Sequence, residues 1–256
     1  MDKQIWIGTN WKMTKDLEES ISYSKALLNL NRKLKENIQL FIIPSYPFIS
    51  QVKELVKEST IKVGAQNMHW EDVGAYTGEV SPKMLKDLHI DLVELGHSER
   101  RQYYNENDID INKKVKSALR HNIKPLVCIG ENLEEKSFGL SKEVLSSQLK
   151  VCLSEVSIDD ISKVIIAYEP VWAIGENGIP ADEDYVDMVH NYLRDQLINM
   201  YGEIGNQVTL LYGGSVNTDN YLKYIELANI DGLFIGRAAW DMESFEEILL
   251  TLNDKF

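Results

Sequence analysis

Cysteine is nearly absent: 256 residues contain two, Cys128 and Cys152. Both lie in or beside apolar runs and share no metal-ligand spacing. That excludes a fold stapled by several disulfides and a cysteine-built metal centre, and suits a reducing compartment. Basic residues are also scarce, 27 Lys plus Arg against 40 Asp plus Glu, for a formal charge of −13. A chain so acidic carries no nucleic-acid footprint and is repelled by an anionic membrane. Any anionic ligand must be held by local groups. No apolar run approaches the length of a membrane span. The first residues, Met-Asp-Lys-Gln-Ile-Trp-Ile-Gly, enter a strand-like segment without a long apolar leader, and a cytoplasmic protein is expected. Prolines number six, and no Pro/Gly/Ser-rich linker interrupts the chain. One domain over residues 1–256 is the expected organisation.

What is present is alternation. Short apolar runs recur at Ile5–Gly8, Ile38–Ile43, Ile61–Ala65, Leu92–Leu95, Pro125–Gly130, Val164–Tyr168, Val208–Tyr212 and Gly232–Ile235. Runs apolar on both faces fit buried parallel strands. Amphipathic stretches lie between them. Leu17, Ile21, Leu27 and Leu28 share a face in the first, Val115, Ala118 and Leu119 in a later one, and Val186, Val189, His190, Leu193 and Leu197 in another. Eight strand–helix units in this length predict a single (β/α)8 barrel. The rival is a doubly wound open sheet. It favours a G-x-G-x-x-G turn after the first strand, where this chain reads Gly-Thr-Asn-Trp-Lys.

In such a barrel the chemistry collects where strands end. Asn10 and Lys12 follow the first run, and Gly-His-Ser-Glu-Arg-Arg (96–101) follows the fourth. Glu169 ends the sixth within Ala-Tyr-Glu-Pro-Val-Trp-Ala-Ile-Gly (167–175). Tyr-Gly-Gly-Ser-Val (212–216) and Ile-Gly-Arg-Ala (235–238) follow the last two. A carboxylate fixed at a strand end, beside a segment able to close over it, is what proton abstraction requires. Ser98 is the expected N-cap of a short helix, whose N–H groups would keep His97 neutral and donating. Lys12 and Asn10 can neutralise a substrate oxyanion or phosphate. The Gly-Gly-Ser and Ile-Gly segments offer unobstructed backbone N–H groups for a phosphate. One His and one Glu at the mouth are too few ligands for a closed metal site. The set fits carbon-acid proton transfer with no cofactor and no metal: a ketose–aldose interchange in which carboxylate, imidazole and ammonium share the work.

Asn-Trp-Lys-Met, Gly-His-Ser-Glu-Arg-Arg, Ala-Tyr-Glu-Pro-Val-Trp-Ala-Ile-Gly and Tyr-Gly-Gly-Ser-Val, in this order, resemble the signatures of the triosephosphate isomerase family. The resemblance implies roles long known for that family: Glu169 as base and His97 as electrophile beneath a closing lid. It further implies Lys12 as electrostatic anchor, Glu99 organising the site, and Asn10 supporting the substrate. Gly175, Ser215 and Gly236 would present N–H groups to the phosphate. Residues 66–79 resemble the family's interdigitating dimer loop. Met68, Trp70 and Tyr76 would be buried by a second subunit, and Thr77 would reach its Asn10 and Lys12. A small sugar phosphate and a second copy of the chain are therefore the expected partners.

Two departures stand out. The lid, which begins at Pro170, Val171 and Trp172, continues Gly175-Glu176-Asn177-Gly178-Ile179-Pro180-Ala181 instead of the family's usual Gly-Thr-Gly-Lys. The paired glycines after the eighth strand become Gly236-Arg237, placing a guanidinium near the phosphate end. Pro180 fixes its own φ and restricts Ile179, so the lid's second hinge must move differently. Both features are similar to a branch of the family that acts on four-carbon erythrulose phosphates. The sequence leaves open a triose isomerase, a tetrulose isomerase interconverting L-erythrulose 1-phosphate and D-erythrulose 4-phosphate, and a silent sugar-phosphate sensor. A Schiff-base aldolase needs a lysine within a strand, whereas Lys12 lies in a mouth loop and Lys163 precedes the sixth run.

Overall fold

The computed structural model describes residues 3–175 and 178–256; Glu176 and Asn177 of the expected lid lie outside the described residues. The strands are β1 (Ile5–Asn10), β2 (Ile38–Ile43), β3 (Lys62–Ala65), β4 (Leu92–Leu95), β5 (Lys124–Ile129), β6 (Ile165–Tyr168), β7 (Thr209–Tyr212) and β8 (Gly232–Phe234). All are parallel and neighbours in chain order, and β8 closes on β1 through Trp6 opposite Gly232 and Gly8 opposite Phe234. The protein is a (β/α)8 barrel.

The period of two along each strand separates two cores. Trp6, Phe41, Ile43, Leu92, Leu126, Cys128, Ile165, Ala167, Leu211 and Phe234 pack together inside the barrel. Their alternates, among them Ile7, Ile42, Val93, Val127, Ile166 and Leu210, pack outward beneath the helices. Burial on both faces is why the strands read as continuous apolar runs.

The principal covering helices are α1 (Leu17–Asn31), α2 (Ile49–Val56), α3 (Pro82–Asp87), α4 (Ser98–Tyr104), α5 (Asp108–Arg120), α6 (Leu133–Ser137), α7 (Ser141–Cys152), α8 (Glu183–Tyr201), α9 (Tyr221–Ile225) and α10 (Met242–Lys255). Val115 and Ala118 of α5 are buried, as are Val186, Val189, His190, Leu193 and Leu197 of α8. The inner stripe of α1 differs from the expected one. Ser20, Tyr23, Ser24, Leu27 and Leu30 face the core, while Leu17 is exposed and Ile21 and Leu28 flank the contact. The two serines permit close approach because their hydroxyls bond back to the carbonyls of Asp16 and Ser20 and leave no donor unpaired.

The loop after β3 needs a second correction. Met68 was expected to seek burial against a partner, yet it is fully buried in the core of its own chain. Trp70 is half-buried, stacked on His69, and its carbonyl accepts from the Ser117 hydroxyl. Tyr76 also packs against His69, tilted with ring centroids 4.1 Å apart, and stays 46% exposed, while Val73 of the same loop is 75% exposed. Loop residues can satisfy apolar surface locally, and Met68 does so. Among the described residues no helix is long and apolar enough to cross a membrane.

Candidate active site

At the strand ends lies a cavity of about 450 Å³ lined by Asn10, Lys12, His97, Glu99 and Glu169, by the segments 173–175 and 213–217, and by 234–238 and Trp240. Parallel pairing brings these segments together, since every strand ends at the same face.

Glu169 is the first residue beyond β6, and its N–H donates to the Ile129 carbonyl (2.8 Å), extending the ladder that aims it. The side chain is buried, and among the described residues its Oε2 has no hydrogen-bond partner. Burial raises its pKa from 4.5 to about 7, against the opposing pull of the Lys12 ammonium. Gly213 makes this position available. A Cβ there would stand 2.7 Å from Glu169 Cγ and 2.9 Å from its Oε1.

His97 is itself the N-cap of α4, in place of the expected Ser98, which is the helix's first residue. Its Nδ1 accepts the Glu99 backbone N–H at 3.1 Å, doing what a capping hydroxyl would do. The neutral ring therefore carries its proton on Nε2, and Nε2 faces Glu169 Oε2 across 4.0 Å. Burial first, then the Lys12 charge, lowers the His97 pKa from 6.5 to about 4.

Lys12 has φ +52°, a left-handed conformation that a non-glycine residue holds only when its surroundings enforce it. They do so through three bonds. Its N–H donates to Asn10 Oδ1 (2.6 Å), and its carbonyl accepts from the Ser45 hydroxyl (2.6 Å) and Gln66 Nε2 (2.8 Å). Its ammonium rests on Glu99 Oε1 at 2.7 Å.

The lid rises from a short turn at Val171–Ala173, just after Pro170. Trp172 Nε1 donates to Glu131 Oε1 (3.0 Å), as do the hydroxyls of Tyr185 (2.8 Å) and Tyr168 (3.1 Å). Gly175 takes φ +86°, and its carbonyl accepts from Gly178 N–H and from Arg237 Nη2 at 2.7 Å. Arg237 thus points toward the lid. Ile179 is exposed, and its N–H donates to the Trp172 carbonyl; Pro180 follows, also exposed. Gly175, Ser215, Gly236 and Arg237 all line the cavity on the β6–β8 side. Met68 and Trp70 lie away from the cavity lining, as do Tyr76 and Thr77.

Three residues escaped the sequence reading. Gly213 was one of several turn glycines, and Glu131 offered no spacing signal. Glu94 did offer one: a carboxylate at an inward position of the apolar run Leu92–Leu95. It is wholly buried inside the barrel, accepting from Asn10 Nδ2 at 2.5 Å and from Cys128 Sγ at 3.6 Å. One oxygen each of Glu94 and Glu169 and the Cys128 sulfur lie within 4.8 Å of one another. These donors suit a metal poorly, because burial pushes both Glu94 and the Cys128 thiol well up and keeps their protons on.

A family model described as triosephosphate isomerase matches residues 5–252. A Rhizobium etli protein named L-erythrulose-1-phosphate isomerase is 46% identical over 250 residues, which are 97% of this chain and 92% of that protein. A protein of the same name from Rhizobium rhizogenes is 46% identical, over 96% of this chain and 94% of its own. Another from Brucella abortus is 45% identical, over 96% and 95% respectively. With fold, strand-end residues and full-length likeness in agreement, this chain belongs to the triosephosphate isomerase family and is an isomerase of its aldose–ketose type.

Proposed function

We propose that the enzyme interconverts L-erythrulose 1-phosphate and D-erythrulose 4-phosphate. Glu169 removes the proton from C3, the C2 carbonyl becomes an enediolate oxygen, and the proton returns to C2 as the carbonyl forms at C3. Both sugars are ketoses, but the step is the same shift of a carbonyl between adjacent carbons that turns dihydroxyacetone phosphate into D-glyceraldehyde 3-phosphate. The observation that carries the chemistry is the 4.0 Å gap between His97 Nε2 and Glu169 Oε2, which has no partner among the described residues. A base and a neutral donor flank the place where two reacting carbons would sit. Lys12 supplies the positive charge for the developing oxyanion, with Glu99 holding it, while Asn10 supports the substrate. The N–H groups of Gly175, Ser215 and Gly236 and the Arg237 guanidinium receive the phosphate. No cofactor is required by these steps.

The tetrulose is favoured over the triose by the relatives' names and by the lid, where Ile179-Pro180 and Arg237 depart from the usual family pattern. The test is kcat/KM of the purified protein for L-erythrulose 1-phosphate and for dihydroxyacetone phosphate. A large preference for the tetrulose supports the proposal; a large preference for the triose makes the enzyme a triosephosphate isomerase, with the triose's place in glycolysis and gluconeogenesis. Activity on neither leaves a sugar-phosphate sensor, and borohydride trapping of a substrate adduct would mean an aldolase.

The working form in this proposal is a cytoplasmic homodimer. Exposed Val73 and Tyr76, on a loop that also exposes Thr77, offer apolar surface for a second copy. Two free, buried cysteines suit a reducing compartment. Sedimentation equilibrium at micromolar concentration decides the first point: a monomer would remove the loop's assigned role.

A further inference from the structure

Glu94 has no place in the steps above, yet a wholly buried carboxyl under an active site is costly unless it serves something. Its surroundings limit what that is. From β1 and the loop beyond it come Asn10 and Lys12. Cys128 comes from β5, Glu169 from just beyond β6, and Glu99 from the segment after β4. Burial first, and then the nearby Glu169 charge, push Glu94 well above the ordinary carboxylate range. Two carboxyls so close in a dry interior cannot both ionise near neutrality, and the deeper one retains its proton. Glu94 therefore sits beside the base as a neutral acid that does not repel an anionic substrate.

Its carbonyl-side oxygen has a definite task. The Asn10 amide is held at both ends: Oδ1 accepts from Lys12 N–H at 2.6 Å, and Nδ2 donates to Glu94 Oε2 at 2.5 Å. The Lys12 N–H decides which end of the amide is oxygen, because a flip would set two N–H groups together there, and Glu94 then sets the direction in which Nδ2 is drawn. One Nδ2–H remains for the cavity that Asn10 lines. The phosphate-side residues come from the β6–β8 loops; β1 adjoins β8, but Glu94 draws the Asn10 amide toward β4, which stands opposite β8 in the closed barrel. A four-carbon substrate differs from a triose by one hydroxymethyl group at the end remote from the phosphate.

We propose that Glu94 is a positioning residue for substrate length: from inside the barrel it fixes Asn10 so that the amide's remaining N–H receives the terminal hydroxymethyl of a tetrulose phosphate. This rests on the function proposed above. An apolar residue at 94 would take away the inner acceptor of Nδ2, so that the amide swings about its remaining bond to Lys12 N–H, and would weaken the longer substrate selectively. A glutamine at 94 would keep an oxygen for Asn10 without a titratable proton.

The experiment compares the wild type with Glu94→Gln and Glu94→Leu. It measures kcat/KM for L-erythrulose 1-phosphate and dihydroxyacetone phosphate, Tm from pH 5 to 9, and hydrogen exchange of the Asn10 side-chain amide by NMR. Expected is a fall in the tetrulose-to-triose ratio on the order of tenfold in Glu94→Leu, restored to within about threefold in Glu94→Gln. The Asn10 amide stays protected in the wild type and Glu94→Gln, and exchanges faster in Glu94→Leu, where Nδ2 has lost its acceptor. Because Glu94 is protonated in the fold, wild-type stability declines as pH rises above the ordinary carboxylate value, and Glu94→Gln loses that part of the slope. An unchanged substrate ratio in Glu94→Leu overturns the proposal. So does an equally protected Asn10 amide in that variant, or, should the variant not fold, an unchanged pH slope in Glu94→Gln. Failure of the functional reading shows separately, as a wild type without tetrulose turnover, and the amide exchange and pH slope still test the clamp.

Discussion

His97 Nε2 and Glu169 Oε2 face each other across 4.0 Å, too far for a hydrogen bond, and among the described residues that carboxylate oxygen has no other partner. Their environments drive them to opposite protonation behaviour. Glu169 is raised to about 7 and His97 lowered to about 4, chiefly by burial in both cases. At neutral pH the pair is thus near the point where the base is free and the imidazole still neutral. The acid limb of kcat/KM should have its midpoint near 7, as Glu169 loses its proton, and no second ionisation from His97 should appear above about pH 5. A pH–rate profile measured from 5 to 9 checks both. An acid limb at the ordinary carboxylate value would contradict the buried base.

Glu169→Gln should lower kcat by roughly a thousandfold while leaving the fold intact. The raised pKa adds a sign to the stability effect. A carboxyl that holds its proton more tightly in the native state contributes stability below 4.5, and that contribution is lost as pH rises through about 7. The glutamine variant escapes the loss, so at pH 8 its Tm should equal or exceed that of the wild type. Thermal melts at pH 5 and pH 8 measure the difference; a lower Tm at pH 8 than the wild type would contradict the assigned burial cost.

Gly213→Ala places a methyl group 2.7 Å from Glu169 Cγ. The carboxylate must swing away from the substrate position, and activity should drop on the order of a hundredfold. Tm should change little, because one rotamer change relieves the contact. Steady-state kinetics beside a melt separates this outcome from general destabilisation.

Arg237 reaches the lid backbone at Gly175 with a 2.7 Å hydrogen bond and lines the phosphate side of the cavity. Arg237→Gln removes the charge but keeps a donor. Its KM should rise about tenfold, the scale of one lost charged hydrogen bond, with kcat reduced less. Inorganic phosphate, as a competitive inhibitor, should weaken in parallel. An unchanged inhibition constant would reduce Arg237 to a lid contact alone.

Much of this was legible in the chain. Apolar runs without alternation predicted parallel strands, and all eight appear within two residues of their expected bounds. Asn10, Lys12, His97, Glu99 and Glu169 could be grouped before any coordinates because a parallel barrel sends every strand end to one face. The misreadings share one cause. The α1 stripe was assigned from apolarity, while the fold buried Ser20 and Ser24, whose hydroxyls close on their own helix. By residue type Ser98 is the expected cap, whereas the His97 ring nitrogen accepts the N–H.

The sequence by itself determined the architecture and the identity of the groups at the barrel mouth, because strand period, spacing and residue chemistry are local properties. Only the tertiary structure decided that Glu94 lies against Asn10, that Gly213 leaves space for Glu169, that Arg237 turns toward Gly175, and that Met68 needs no partner. Each of these depends on distances between residues far apart in the chain. Packing sets such distances, and no pattern along the sequence encodes them one by one.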